Sequence, residues 1–286
     1  MRVEQQQRAA RLLEILRLER VEENMFRGMN EVRGEFRLFG GQVLAQALRA
    51  AYHTVDGRAA HSAYGYFMRA GNAAKPVLYE VDRIRNGRSF TTRSVVAIQD
   101  GEAIFSLSVS FQVQEDGFEH ADSMPNVPPP HELEDDLDYI ARLSEPPRDV
   151  YVRPRPFELR SVFPPGSPAW QQDRYWNPVW VRFCEPVDPD DDALARSLLA
   201  YASDMGMVST AMLPHMGAIP RSQIQMASLD HALWIHRPVP VDSWMLFHKR
   251  TSLAGGARGM VHGQFFSEDG VLVASVTQEG LVRQRR

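Results

Sequence analysis

Residues 197–220 read SLLAYASDMGMVSTAMLPHMGAIP. This stretch contains one carboxylate, Asp204, and one histidine, His215, and it has no Lys, Arg or Glu. Apolar residues recur at a helical period from Leu194 to Met205, and the opposite face of this helix carries Ala, Tyr and Met instead of charge. Because a helix that is apolar nearly all round is normally buried, Asp204 is predicted to be a buried carboxylate.

The predicted helix is entered through Asp190, Asp191 and Asp192, since acidic residues cap helix N-termini and interact favourably with the helix dipole. An ionised carboxylate in an apolar interior is unfavourable unless it is hydrogen-bonded. From these residues alone, two interpretations of Asp204 stay open. It is either a structural carboxylate that caps a loop or pairs with Arg221, or a catalytic carboxylate poised by desolvation.

The composition is that of a globular protein, with 44% hydrophobic and 24% charged residues in a chain of 286. This length allows one large or two ordinary domains. A net charge of −4 argues against a nucleic-acid partner, although it permits a local basic pocket for a small anion. The single cysteine, Cys184, fits a reducing cytosol. With neither a signal-peptide pattern nor an apolar run of transmembrane length, we expect a cytoplasmic chain without a membrane span.

The first half combines one helix with a series of strands. Apolar residues between Leu12 and Val21 suggest a leading amphipathic helix, and a second helical stripe follows Gly40-Gly41. Glycines at a helix N-terminus let a ligand approach free backbone N–H groups. From residue 61 to 114 the pattern changes to strands, separated by the hairpin signals Asn86-Gly87 and Asp100-Gly101. A helix followed by an antiparallel meander predicts an α+β unit.

The second half repeats this plan. The turn Asp269-Gly270 lies 169 residues after Asp100-Gly101, and so long a period indicates two similar domains. We expect a first half over residues 1–115, a proline-rich acidic linker over 116–155 and a second half over 156–286 that carries the catalytic residues. The linker is predicted to lie on the surface with a short helix near Glu132 to Leu143. An insertion from about Ser209 to Ser222 is expected to shape a pocket.

Several short sequence segments are more specific than this pattern of helices and strands. In chain order they are FGGQVLAQAL, NGRSFTTRSV, VAIQDGEAIF, SDMG, ASLDHALWIHR and ARGMVHGQFFSEDGVLVASVTQEG. Together they resemble the acyl-CoA thioesterase II family, from about Phe39 to Val282. The resemblance implies an α+β double hotdog fold, in which each of two tandem units cradles a long helix in an antiparallel sheet. It also implies hydrolysis of fatty acyl-CoA to free fatty acid and coenzyme A.

The chemistry expected is direct attack by water. The chain has no G-x-S-x-G motif, Cys184 lacks any supporting context, and the nine histidines show no metal-ligand spacing, so neither a metal nor another cofactor is expected. The resemblance carries a water-orienting trio onto Asp204, Ser228 and Gln278. Ser228 stands where members of the family commonly have threonine, which keeps the hydroxyl but frees its rotamer. A carboxylate can accept a proton from water, while a hydroxyl and an amide can hold the water in place.

Substrate-binding residues are predicted at two places. Backbone N–H groups at Gly40 and Gly41 are candidates for the oxyanion. Arg88 and Ser89 lie on a basic hairpin that could bind the phosphates of coenzyme A. Asp230 and His231 are ranked as structural, because adjacent strand residues point to opposite faces.

Two alternatives stay open. One is an enoyl-CoA hydratase-type lyase of the hotdog class, since His215 lies 11 residues beyond Asp204 on the inserted loop. The other is a non-catalytic acyl-CoA-binding module. Whatever the activity, we expect a homo-oligomer, either a dimer or a tetramer. Members of the family typically form oligomers, and the sequence shows no obvious feature that would protect every sheet edge from pairing with another chain.

Overall fold

Two central helices, one from each half of the chain, lie side by side against one long antiparallel sheet. The computed structural model describes residues 2–31, 37–143, 154–164, 166–169 and 174–285. Its helices are α1 (Arg2–Ile15), α2 (Gly40–Tyr52), α3 (Asp136–Ala141), α4 (Asp192–Ser203) and α5 (Met207–Thr210). Short 3-10 turns cover Pro130–Glu132, Leu213–His215 and Arg221–Gln223.

The strands of the first half are β1 (Glu19–Glu22), β2 (Met25–Gly28), β3 (Ala59–Phe67), β4 (Val77–Asn86), β5 (Phe90–Gln99) and β6 (Glu102–Gln112). Those of the second half are β7 (Phe157–Ser161), β8 (Trp176–Phe183), β9 (Ile224–Ser228), β10 (Asp230–Ile235), β11 (Met245–Gly255), β12 (Arg258–Ser267) and β13 (Leu272–Gln284). They form a 13-stranded sheet in the order β1-β2-β4-β5-β6-β3-β10-β13-β12-β11-β8-β7, with β9 paired to β13.

The two halves join edge to edge through β3 and β10. These strands pair antiparallel, with Ala232 opposite Tyr64 and Trp234 opposite Ser62. Each half therefore contributes its own meander to one continuous sheet, and a single buried core extends through both halves. This arrangement confirms the predicted α+β double hotdog fold.

Helices α2 and α4 run antiparallel and cross closely. Arg49 in the last turn of α2 lies 3.5 Å from Asp191, the N-cap of α4, so the C-terminus of one helix meets the N-terminus of the other. At the opposite end, a Cβ on Gly41 would lie only 2.4 Å from the backbone oxygen of Tyr201. Glycine at position 41 is thus what permits the close approach.

The described part of the linker lies mostly on the surface and includes the short helix α3. Residues 144–153 lie outside the described residues, and the part before them covers the outer face of the second sheet half. Trp180 Nε1 donates to the oxygen of Pro128 at 2.9 Å, and Met124, Val127 and Leu133 pack on the cluster of Trp180, Leu246 and Phe266. The prolines keep the segment extended, so it can cover apolar side chains that would otherwise face solvent.

Two predictions need correction. Val21 belongs to the exposed strand β1 and not to the leading helix, whose buried face is formed by Gln5, Ala9, Leu12 and Ile15. Asp136, within the acidic run that was expected to be solvated, is buried in the short helix α3. In the described part of the chain, no helix combines the length and apolarity needed to cross a membrane.

Candidate active site

Asp204 lies where the two central helices meet. It is the C-cap of α4, and its Oδ2 accepts a 2.8 Å hydrogen bond from the backbone N–H of Gly41 in the first turn of α2. A Cβ on Gly40 would lie 2.7 Å from the same oxygen, so the glycine pair makes room for the carboxylate. The positive end of a helix dipole favours a negative charge at this point. One half of the chain therefore positions the carboxylate supplied by the other.

Ser228 and Gln278 complete a short hydrogen-bond chain. Ser228 Oγ donates to Asp204 Oδ1 at 3.2 Å, and Gln278 Nε2 donates to Ser228 Oγ at 2.8 Å. Gln278 is 1% exposed on the inner face of β13, and Ser228 ends β9 beside it. The structure thus brings together the three residues predicted from the sequence, in the order amide, hydroxyl and carboxylate.

His231 extends this chain by one more residue. Its Nδ1 lies 2.6 Å from Gln278 Oε1, and its Nε2 lies 2.8 Å from Ser203 Oγ. Because an amide oxygen can only accept, Nδ1 carries the proton and donates to Gln278 Oε1. The Ser203 hydroxyl donates to the backbone oxygen of Ala200 at 2.8 Å and also lies against Nε2. His231 therefore fixes the orientation of the Gln278 amide, so that the amide nitrogen faces Ser228.

His231 was ranked as structural from the sequence because Asp230 and His231 are adjacent in a strand, and the structure confirms that their side chains point to opposite faces. What the sequence did not show is a bulge between Ser228 and His231. Ser228 pairs with Gly280, whereas Ala232 pairs with Thr277, so the register moves by one residue at Leu229. This bulge turns two side chains an odd number of positions apart toward the same face. The sequence signal for His231 was its position directly after Asp230 and close to Ser228, a member of the predicted trio. Asp230 points the other way, and its Oδ1 accepts from the backbone N–H of Glu279 at 2.7 Å.

Burial shifts the pKa values of both ionisable groups in the chain. Desolvation raises the pKa of Asp204, while His231, the hydrogen bonds of Gln278 and Ser228 and the Gly41 N–H oppose that shift. Desolvation lowers the pKa of His231, which keeps the imidazole neutral near pH 7 although the Asp204 charge acts in the opposite direction. A carboxylate with a raised pKa beside a cavity is a suitable proton acceptor.

The site opens into a cavity of about 760 Å³ that both halves of the chain line. Most of its wall is apolar, and the inserted loop contributes to it, as the sequence predicted. Wall residues include Phe39, Phe67, Phe105, Phe157, Val179, Val181, Met207, Met212, Leu213, Met216 and Phe247. Asp204 and Ser228 lie in the same wall. A long apolar group can therefore reach the carboxylate.

The remaining predicted residues occupy different places. Gly40 lines the cavity, whereas the N–H of Gly41 is already hydrogen-bonded to Asp204. Arg88 and Ser89 lie at the β4–β5 hairpin, are not among the cavity-lining residues, and Ser89 Oγ donates to Glu115 at 2.8 Å. Their predicted contact with coenzyme A stays a prediction. His215, the residue that favoured a lyase, also does not belong to the described cavity wall.

Metal binding and thiol chemistry have little support at this site. Within the ranges that the structure describes, no group of three or more His, Cys, Asp or Glu is arranged to hold a metal ion. Cys184 is half-buried, and desolvation raises the pKa of its thiol to about 11. A thiol with so high a pKa is a poor nucleophile near neutral pH.

The fold and the site together define the class of double hotdog enzymes that act on thioesters. Comparisons with known proteins agree. A family model for acyl-CoA thioesterase matches residues 170–281, and a model for the acyl-CoA thioesterase N-terminal domain matches residues 31–112. The chain is 37% identical over 280 residues to acyl-CoA thioesterase 2 of Haemophilus influenzae, which covers 95% of this chain and 96% of that protein.

Solved structures give the same answer. The acyl-CoA thioesterase II TesB2 of Mycobacterium marinum superposes with a TM-score of 0.79 at 38% identity, over 96% of this chain and 98% of that chain. A protein with a hot dog fold from Alicyclobacillus acidocaldarius is 20% identical over 96% of this chain and 99% of that chain, with a TM-score of 0.72, and shows the shared fold alone. The chain belongs to the acyl-CoA thioesterase family, and it is an acyl-CoA thioester hydrolase.

Proposed function

We propose that this chain hydrolyses fatty acyl-CoA by direct attack of water on the thioester carbonyl, with Asp204 as the general base. The observation that carries the proposal is the position of Asp204, a buried carboxylate in the cavity wall with each oxygen held by a different hydrogen bond. Ser228 and Gln278 orient the water by their hydroxyl and amide groups. The apolar wall accommodates the fatty chain.

The water oxygen forms a bond to the carbonyl carbon while its proton passes to Asp204. The C–S bond then breaks, the fatty acid leaves, and coenzyme A departs as the thiol after the proton reaches its sulfur. The N–H of Gly40, at the N-terminus of α2 and beside Asp204, is the proposed donor to the oxyanion.

A serine nucleophile is the alternative to water, since the Ser228 hydroxyl donates to a carboxylate. The geometry favours water for one reason. His231, the residue that could act as a base for a serine, contacts Gln278 and Ser203 instead of Ser228. The serine is therefore held as a donor in a fixed chain.

Rapid-quench kinetics tests this mechanism. Palmitoyl-CoA is mixed with the enzyme, free thiol is followed with a thiol reagent, and the acid-quenched protein is examined by mass spectrometry. The proposal predicts thiol release with no burst and no acylated protein. A peptide acylated at Ser228 that forms and decays at the turnover rate would replace water attack by an acyl-enzyme. Hydration of crotonyl-CoA, run in parallel, tests the lyase alternative.

Coenzyme A phosphates are proposed to bind at the cavity opening. Arg37 is exposed and lines the cavity, and Arg69 also lines it, with one guanidinium nitrogen 2.8 Å from Glu102. Arginine forms strong charge-assisted hydrogen bonds with phosphate. The Arg88 hairpin remains a second candidate, to be compared with Arg37 by mutation.

A homo-oligomer, dimer or tetramer, is also proposed. Tyr64 and Tyr66 on the outer face of β3 are 50% and 63% exposed, and Tyr64 packs edge-on against Trp234 across the junction of the two halves. Aromatic residues of this kind are enriched in protein interfaces. Light scattering should give a mass of two or four chains. A single-chain mass at micromolar concentration would contradict the proposal.

A cytoplasmic location is proposed on the free thiol of the chain's single cysteine, because disulfides are rare in reducing compartments. Cell fractionation with an antibody to the chain tests this. Recovery in a membrane or exported fraction would contradict it.

A further inference from the structure

Lys249 is a buried lysine inside the cavity wall. It lies on the inner face of β11, is 3% exposed, and lines the same cavity as Asp204. Its Nζ sits 4.2 Å from the ring centroid of Phe247. Among the residues that the structure describes, no hydrogen-bond acceptor or carboxylate is paired with this ammonium group.

Asp135 and Asp136 line the same cavity as Lys249, but within the described residues neither carboxylate forms an ion pair with its Nζ. Its ladder neighbours are Asn177 on β8 and Gly263 on β12, and a Cβ on Gly206 would lie 3.8 Å from its Nζ. Desolvation lowers the pKa of Lys249 to about 7, Asp136 opposes that shift, and Arg155 adds to it. An ammonium group held in this way is unfavourable until an anion reaches it.

Asp136 does not serve as that anion. Both of its carboxylate oxygens are engaged, because Oδ1 accepts from the backbone N–H of Ser161 at 2.8 Å and Oδ2 accepts from Ser161 Oγ at 2.7 Å. Desolvation also raises the pKa of Asp136 to about 6, so its negative charge is itself disfavoured. The three N–H donors of Lys249 therefore remain available to a ligand in the cavity.

We propose that Lys249 forms a second polar subsite, which binds a carboxylate at the distal end of the acyl chain. This inference rests on the proposed function, and it adds ω-carboxyacyl-CoA thioesters to the substrate class. The same cavity wall includes the apolar side chains of Val179, Met207 and Phe247, which suit a methylene chain. A single cation suits a single carboxylate, whereas the strongly hydrated phosphates of coenzyme A suit the exposed Arg37 at the opening.

Such a substrate is hydrolysed through the same bond changes as fatty acyl-CoA. Water adds to the thioester carbon, the C–S bond breaks, and the products are a dicarboxylate and the coenzyme A thiol. The distal carboxylate takes no part in the bond changes. Its pairing with Lys249 holds the thioester at a fixed distance, so only one range of chain lengths places the carbonyl at Asp204.

The test compares two series of acyl-CoA thioesters of equal carbon number, one ending in methyl and the other in carboxylate. Lys249→Met keeps an unbranched apolar side chain and removes the charge. At the favoured length, kcat/KM of the variant for the ω-carboxyacyl thioester should fall by about 10- to 100-fold, the range expected for a lost hydrogen bond to a charged group. Activity on the methyl-ended partner should hold or rise. Lys75→Met, at the only other lysine of the chain, is the matched control.

An equal preference for the two series in wild type and Lys249→Met at every length would overturn the inference. Wild-type hydrolysis of neither series would instead contradict the proposed function, so the two failures are distinguishable. A second measurement uses the wild-type enzyme alone. With ¹⁵N-labelled lysine only Lys75 and Lys249 give side-chain signals, and addition of a dicarboxylic acid of the favoured length should raise the pKa of Lys249. An unchanged titration of Lys249 at saturating dicarboxylate would also contradict the subsite.

Discussion

Asp204 Oδ2 and the backbone nitrogen of Gly41 are 2.8 Å apart, although 163 residues separate them in the chain. The contact joins the C-cap of one central helix to the first turn of the other. It explains why the two halves must form one body, since neither half alone can build the site. It also gives the carboxylate a fixed direction, because one of its oxygens is committed to the helix N-terminus.

Ser228 tests the hydrogen-bond chain. Ser228→Ala removes both the donor to Asp204 and the acceptor for Gln278, so kcat should fall by about 10- to 100-fold, as expected when one hydrogen bond to a charged group is lost. Ser228→Thr keeps the hydroxyl and restricts its rotamer, so its kcat should stay close to that of wild type. Steady-state kinetics with palmitoyl-CoA checks both. Equal kcat values for the alanine variant and wild type would remove Ser228 from the mechanism.

His231 is predicted to be a positioning residue that acts through Gln278. His231→Leu removes the donor to Gln278 Oε1, so kcat should fall by about tenfold with KM little changed. His231→Asn places an amide nitrogen near the position of Nδ1 and should recover part of the rate. A double-mutant cycle with Gln278→Leu should be strongly non-additive, because the two residues belong to one network. Independent, additive effects would show that His231 serves only the packing of the core.

Arg37 and Arg88 are compared as phosphate-binding residues. Arg37→Ala is expected to raise KM for acyl-CoA by about tenfold and Arg88→Ala by less, since only Arg37 lines the cavity and electrostatic attraction falls with distance. Both effects should shrink as salt is added, and kcat should change little. An unchanged KM in Arg88→Ala would show that the hairpin is a solvated surface. A larger effect at Arg88 than at Arg37 would move the phosphate site to the hairpin.

Asp136 makes the stability depend on pH in a predictable direction. Its pKa rises from 3.8 to about 6 on folding, so the folded state binds the proton more tightly than the unfolded chain. This group therefore lowers the free energy of unfolding as pH rises through that window. Asp136→Asn keeps an acceptor for the Ser161 N–H and cannot ionise. Between the acidic and neutral ends of the window, the free energy of unfolding of Asp136→Asn should increase relative to that of wild type by on the order of 3 kcal/mol. Urea unfolding on both sides of the window checks this, and parallel pH curves for the two proteins would contradict it.

The overall fold could be predicted because its signals are local. The turns at Asn86-Gly87, Asp100-Gly101 and Asp269-Gly270 separate strands where expected, and the capping Asp191 accepts from Leu194 N at 2.9 Å. The position of the linker could not be predicted in this way. Its attachment depends on Trp180, whose burial is a property of the folded sheet.

The site was predicted in part. The resemblance supplied Asp204, Ser228 and Gln278, and the structure brings these three side chains together. His231 was ranked as structural because its side chain and that of the adjacent Asp230 point to opposite faces. Its place beside Ser228 and Gln278 depends on the bulge at Leu229, which only the strand pairing reveals. The burial of Lys249 could not be predicted, because the sequence does not show that its strand extends so far into the core.

The central claim is that Asp204 accepts the proton of the attacking water, and Asp204→Asn tests it most directly. Asparagine keeps an oxygen for the Gly41 N–H and an amide nitrogen that can donate to Ser228, but it cannot take up a proton. We expect kcat to fall by about 10²- to 10⁴-fold with little change in KM. The thermal midpoint should hold or rise, because a buried charge has been removed. Both quantities are measured on one purified sample. A variant that is as stable as wild type and turns over at nearly the same rate would contradict the account.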